Sequence, residues 1–105
     1  MALTRNFKDT VKARVERDRA FKAALFREAL DCLMSGDLDT GKTVLRDYIN
    51  ATIGFDRLAE ATGTSPKSLM RMFSPKGNPQ ARNLVEVIDV LQRKTKLRVQ
   101  IKTAA

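Results

Sequence analysis

The stretch Phe55-Asp-Arg-Leu-Ala-Glu-Ala-Thr-Gly-Thr-Ser-Pro-Lys-Ser-Leu-Met-Arg-Met-Phe73 is the most informative in the chain. Phe55, Leu58 and Ala59 stand at i, i+3 and i+4, one face of a helix over about 55–62. Gly63 follows, where a helix end takes a residue at ease with positive φ. Ser65 is a strong N-cap and Pro66 a favoured first helical residue, so a second helix is expected from Pro66. The pattern is two short helices joined by a tight turn.

The second helix has two faces of different chemistry. Leu69, Met72 and Phe73 form an apolar face that can pack against Leu58 and Ala59. Lys67, Met70 and Arg71 share the opposite side, with the Ser65 hydroxyl just before them. A helix pinned by its apolar face and cationic on the other fits the major groove of DNA. The plain alternative is a helical hairpin inside an ordinary bundle.

With Leu58-Ala59, Gly63 four residues after that alanine, and Leu69 and Met72 beyond it, the stretch resembles the helix-turn-helix of lambda-repressor/Cro-like regulators. Thr64 departs from the more usual Val or Ile. The run Ser74-Pro-Lys-Gly-Asn-Pro79, followed by Leu84-Val-Glu-Val-Ile-Asp-Val-Leu91, resembles the antidote (antitoxin) proteins of bacterial addiction modules. Those proteins usually bind a small ribonuclease-like toxin and repress their own operon. The resemblance, not composition or spacing, implies the same pair of roles here. The toxin-contacting part would be the N-terminal helical extension, 1–36, or the C-terminal tail, 96–102; toxins of that kind are often basic, which counts against the basic tail as the main contact.

Charge supports an anionic partner. The chain has 105 residues, a formal net charge of +8 and 43 % hydrophobic residues, enough for one domain with a modest core. Between Ala61 and Val85 stand Lys67, Arg71, Lys76 and Arg82 and no acid. Arg93, Lys94, Lys96, Arg98 and Lys102 form a second acid-free run. Such excess suits nucleic acid, an anionic membrane surface or an acidic protein. There is one cysteine, Cys32, and no histidine, so an internal disulfide and a Cys/His zinc site are excluded. Cys32, among Leu30, Leu33 and Met34, reads as a small buried hydrophobe. With Arg5, Lys8 and Asp9 early and no membrane-length apolar run, a cytoplasmic protein without leader or membrane span is expected.

The rest of the chain reads as helices. The first, over about 5–16, carries a narrow stripe of Phe7, Val11 and Val15 among basic residues; it holds too little apolar surface to grip a membrane and is expected to dock onto the domain or a partner. Asp18 is a candidate cap for a second helix over about 19–35, the most hydrophobic and the expected centre of the core, ended by Gly36. A third, over about 40–52, carries Val44, Leu45, Tyr48 and Ile49. Asn78-Pro79 repeats the cap signal before a last helix over about 80–94, with Leu84, Val87, Ile88 and Leu91 on one face.

Gly36-Asp-Leu-Asp-Thr-Gly-Lys-Thr43 matches the phosphate-loop pattern G-x-x-x-x-G-K-[ST]. That motif needs a strand before it, and here a helix precedes. Asp37 and Asp39 would also stand where phosphates must sit. The residues are explained as a helix stop, a cap at Asp39 or Thr40, and a solvated Lys42.

In the tail, Leu97, Val99 and Ile101 alternate with Lys96, Arg98, Gln100 and Lys102, a strand pattern. A lone strand leaves its backbone unpaired, so it is expected to pair with a second copy or a sheet edge on another protein. A frayed tail is the alternative.

The expected fold is therefore all-α: a compact helical domain of about five to six helices with a lambda-repressor-like helix-turn-helix at 55–73 and a C-terminal strand pairing between molecules. The expected function is sequence-specific binding of double-stranded DNA by a homodimer on a palindromic operator, with half-sites about 34 Å apart or a multiple. Lys67 and Arg71 are placed in the groove, and Met70 against a thymine methyl. Ser65, Pro66 and Ser68 open the recognition helix, where hydroxyls and unpaired N–H groups suit a phosphate. Lys76, Asn78 and Arg82 are placed on the DNA backbone. Leu97, Val99 and Ile101 are the candidate dimer or toxin contacts. No Ser/His, Cys/His or paired-carboxylate arrangement supports catalysis, and no cofactor or metal is implied. The other readings are a repressor without a toxin and a helical interaction protein that does not bind DNA.

Overall fold

The local signals in the sequence become six α-helices in the computed structural model, which describes residues 2–104, with side chains from residue 7 onward. They are α1 (Ala2–Arg17), α2 (Arg19–Met34), α3 (Leu38–Ala51), α4 (Gly54–Thr62), α5 (Pro66–Met72) and α6 (Ala81–Thr95). The fold is all-α and compact, with a radius of gyration of 13.4 Å, as expected for a folded chain of this length. The side chain of Arg5, used above against a leader, lies outside the described residues.

Asp18 caps α2 as expected, its carboxylate accepting from the Phe21 N–H at 3.0 Å. The cap of α3 is Asp37, not Asp39 or Thr40: its carboxylate accepts from Thr40 N–H, so the helix starts at Leu38. Asn78 and Pro79 do not open the last helix either. Gln80 takes the N-cap position of α6 without a side-chain bond, because the loop before it is committed elsewhere.

The core joins α2 through α6. Phe26 and Ala29 of α2, Leu45, Tyr48 and Ile49 of α3, Phe55 and Leu58 of α4, Leu69 and Phe73 of the α5 region, and Val87, Val90 and Leu91 of α6 form one buried cluster. The Phe26 and Tyr48 rings stack at 4.7 Å between centroids. The centre is α3 rather than α2: α2 is apolar on most sides but fully buries only Phe26 and Ala29, whereas α3 is covered by its neighbours along one whole face. The first helix lies on α3 and α2, burying Val15; Phe7 remains exposed and Val11 half-buried. Cys32 is half-buried rather than interior, with its Sγ 3.7 Å from a Glu28 carboxylate oxygen. Partial desolvation, with the carboxylates of Glu28, Asp37 and Asp31 nearby, pushes its thiol pKa up.

Polar groups tie α6 to this core. Tyr48 and Thr95 share a buried hydroxyl–hydroxyl hydrogen bond of 2.6 Å. The Lys22 ammonium donates to the Thr95 carbonyl at 2.7 Å, placing a cation at the carbonyl end of α6. Desolvation, and then Arg19 and Lys96, lower the Lys22 pKa. Burial raises the Tyr48 pKa against the opposing effect of its hydrogen bond with Thr95, and raises that of Asp47 against the pull of Arg46 and Lys8.

The tail corrects the strand expectation for the single chain. Residues 96–104 form no strand among the described residues. Leu97 and Val99 pack against the core instead, and the Val99 N–H donates to Gln92 Oε1 at 2.8 Å. The alternation is real, but its apolar side is used on the chain's own body, except at Ile101, which is 76 % exposed.

Candidate nucleic-acid interface

The 55–73 stretch folds as two helices around the turn Gly63-Thr64-Ser65. Gly63 takes φ 73°, a left-handed conformation that costs a side-chain-bearing residue energy, and its N–H bonds the Ala59 carbonyl at 2.9 Å. Ser65 is extended; its Oγ accepts from the Ser68 N–H at 3.1 Å and donates to Ser68 Oγ at 2.9 Å. Pro66 then opens α5 at a position where no N–H is needed. The angle between the helices is fixed by packing. Leu58, Ala59, Leu69 and Phe73 are all buried, and the Phe55 and Phe73 rings meet at 6.2 Å.

This packing decides which side of α5 faces out. Lys67 and Arg71 are exposed, and Met70 between them is 51 % exposed. Ser65 is exposed, while Pro66 and Ser68 are half-buried. Lys76, Asn78 and Arg82 are exposed beyond the helix. The ion pairs of the described residues are Lys12–Glu16, Arg14–Asp18, Lys42–Asp39 and Arg93–Asp89, so none of Lys67, Arg71, Lys76 or Arg82 is held by a carboxylate. The nine residues named from the sequence for DNA lie on α5, its cap, the segment leading into α6 and, for Arg82, the first turn of α6.

Leu97, Val99 and Ile101 line a second feature, a groove of 760 Å³. Its other walls include Phe26, Leu30 and Met34 of α2 and Ile88 of α6. Met34 and Ile101 are exposed large apolar side chains at this groove.

The sequence reading missed Lys42. It is not solvated but 2 % exposed. Its Nζ donates to the carbonyls of Ser74 at 3.0 Å, Pro75 at 3.4 Å and Gly77 at 2.6 Å. A buried ammonium must find acceptors, and three N–H donors here meet three carbonyls. Asp39 adds only a peripheral contact at 3.9 Å from an exposed carboxylate. The signal was in the spacing: Lys42 precedes Leu45 by three residues and Ile49 by seven, which places it on the buried face of α3. The inward turn of Lys42 also removes the one cation that the phosphate-loop pattern would need.

No helix of the described residues is long and apolar enough to cross a membrane. Comparison with protein-family models, with curated proteins and with solved structures finds no match for this chain.

Proposed function

We propose that this chain is a sequence-specific DNA-binding regulator of the lambda-repressor/Cro-like helix-turn-helix kind, working as a homodimer on a palindromic operator. One observation carries the reading: α5 is held to the body by Leu69 and Phe73, which leaves Lys67, Met70 and Arg71 exposed, the two cations in no ion pair among the described residues. Arg71 forks onto guanine O6 and N7, Lys67 reaches a base or phosphate, and Met70 meets a thymine methyl. Lys76, Asn78 and Arg82 fix register on the phosphates.

The resemblance of 74–91 to antidote proteins extends the proposal: the protein is the antitoxin of a toxin–antitoxin module and represses its own operon. The apolar groove beside the tail, with Met34 and Ile101 exposed, favours a protein partner there. In a dimer, the 96–102 tails of two copies pair as strands and supply each other's missing backbone partners.

Selection of bound sequences from random duplexes, with the size of the free protein measured alongside, tests the core of this reading. A palindromic consensus and a dimer are expected. Binding that ignores sequence and vanishes at moderate salt would remove the specific-regulator reading. A short toxin-like reading frame next to this one, whose product co-purifies, tests the antitoxin role.

A further inference from the structure

We propose that the backbone N–H groups of Lys76 and Asn78 form a phosphate-binding pair, and that buried Lys42 is the positioning residue that aims them outward. The inference rests on the DNA reading above and deepens it. The peptide units 75–76 and 77–78 turn their carbonyls inward to the Lys42 ammonium, at 3.4 and 2.6 Å. Neither is cis. In a trans peptide the N–H points opposite to the C=O. The N–H groups of Lys76 and Asn78 therefore point away from Lys42, on two exposed residues. Neither N–H has a protein acceptor among the described residues.

The loop is held in this shape from two sides. Below, Lys42 binds the carbonyls of Ser74, Pro75 and Gly77. Above, Gly77 lies against the carbonyls of Arg71 and Met72, so closely that a Cβ there would strike backbone. Its N–H bonds the Ser74 carbonyl at 2.9 Å. A hydrophobic side chain could fill the space under a loop that needed only support. An ammonium does something else: it draws carbonyl oxygens to one point and so orients the attached amides in the opposite sense. Two outward amide donors, two residues apart on one exposed loop with the Lys76 side chain between them, suit the phosphate oxygens of a nucleic-acid backbone.

Lys42→Met keeps the aliphatic stem and removes the cation; Gly77→Ala leaves the Lys42 side chain in place and forces the loop off the Arg71 and Met72 carbonyls at the end of α5, drawing the Gly77 carbonyl from the ammonium. Each variant is checked for fold by circular dichroism and assayed below its melting temperature. Both are expected to lose about ten-fold or more in affinity on every duplex alike. Base preference should be unchanged, and the salt dependence flattened by about one phosphate contact. Adding Lys76→Ala to Lys42→Met should cost little more. In the free protein, Lys42→Met should abolish hydrogen-exchange protection of the Gly77 amide. If the wild type binds no duplex, the DNA reading fails and this one with it. If the wild type binds and both variants keep its affinity and salt slope, only the role given to Lys42 and the loop amides is overturned. If Lys42→Met does not fold, Gly77→Ala alone decides by the same readouts.

Discussion

The hydroxyl of Tyr48, on α3, lies 2.6 Å from the hydroxyl of Thr95 at the last turn of α6, with both buried in the core. Thr95 also donates to the Leu91 carbonyl at 2.6 Å, so the Tyr48 O–H is left as the donor between the two hydroxyls. Tyr48→Phe removes a donor and leaves Thr95 bonded to Leu91, at a cost of about 1 kcal/mol. Thr95→Val strands the Tyr48 hydroxyl without an acceptor and should cost more, about 1–3 kcal/mol. Urea titration of the two variants checks the order, and a larger loss for Tyr48→Phe would overturn the donor assignment.

Two desolvated acids, buried Tyr48 and half-buried Asp47, give like-signed pH effects. Burial raises the pKa of both Tyr48 and Asp47 in the folded chain. For each, the stabilising contribution is complete below the unfolded-state value and is lost as pH rises through the folded one. For Asp47 that loss comes as pH rises through its raised folded-state value, on the alkaline side of the ordinary aspartate range. Asp47→Asn should therefore stabilise the protein near pH 7, by no more than about 0.5–1 kcal/mol after solvent screening, and by nothing near pH 3. For Tyr48 the loss begins above the ordinary tyrosine value, and Tyr48→Phe should flatten the alkaline fall in stability. Melting temperatures across the pH range test both.

Gly63 isolates the cost of the turn. Nothing lies within 4 Å of a Cβ built there, so Gly63→Ala pays only for its left-handed backbone at φ 73°. The expected loss is about 1–2 kcal/mol. Gly63→Asn, which tolerates that conformation better, should lose less. Equal losses would mean that backbone conformation is not what selects glycine at this place.

Arg71 and Lys76 should separate base reading from phosphate gripping. Arg71→Ala is expected to relax preference at one position per half-site, with about 1–3 kcal/mol of discrimination lost. Lys76→Ala should weaken all sequences alike and reduce the salt slope by about one. Binding profiles on a mutated operator series distinguish the two, and a uniform loss for Arg71→Ala would falsify its base-reading role.

Ile101 tests the tail apart from the fold. It is 76 % exposed, so Ile101→Asp should leave stability within about 0.5 kcal/mol. If the tails join two copies, the same change should convert dimer to monomer in light scattering. A dimer that persists moves the interface elsewhere.

The helices were legible because each carried a period and a local stop: Asp18 before α2, Gly63 after α4, Ser65-Pro66 before α5. The outward set on α5 was legible for the same reason, since Leu69 and Phe73 leave little choice of face. What escaped was non-local. Lys42 is hydrophilic by type, and only the carbonyls of a loop more than thirty residues away make its burial possible. The same loop hid the true start of α6, because Asn78-Pro79 has good cap chemistry but its backbone is already engaged with α3 through Gly77. The tail misled through its period of two, which reports that one side is apolar and not what covers it; in the single chain, α2 and α6 do.

The brevity of α5 has a consequence of its own. Pro66–Met72 is seven residues, well below the length at which a peptide stays helical alone in water. Its shape is lent by Leu58, Phe55 and the rest of the interior. Loosening the body, by heat, by a protease cut or by a competitor that pries α4 away, therefore disarms the surface before a single exposed cation is altered. Under the proposed DNA-binding function, occupancy of an operator would follow the folded fraction of the chain.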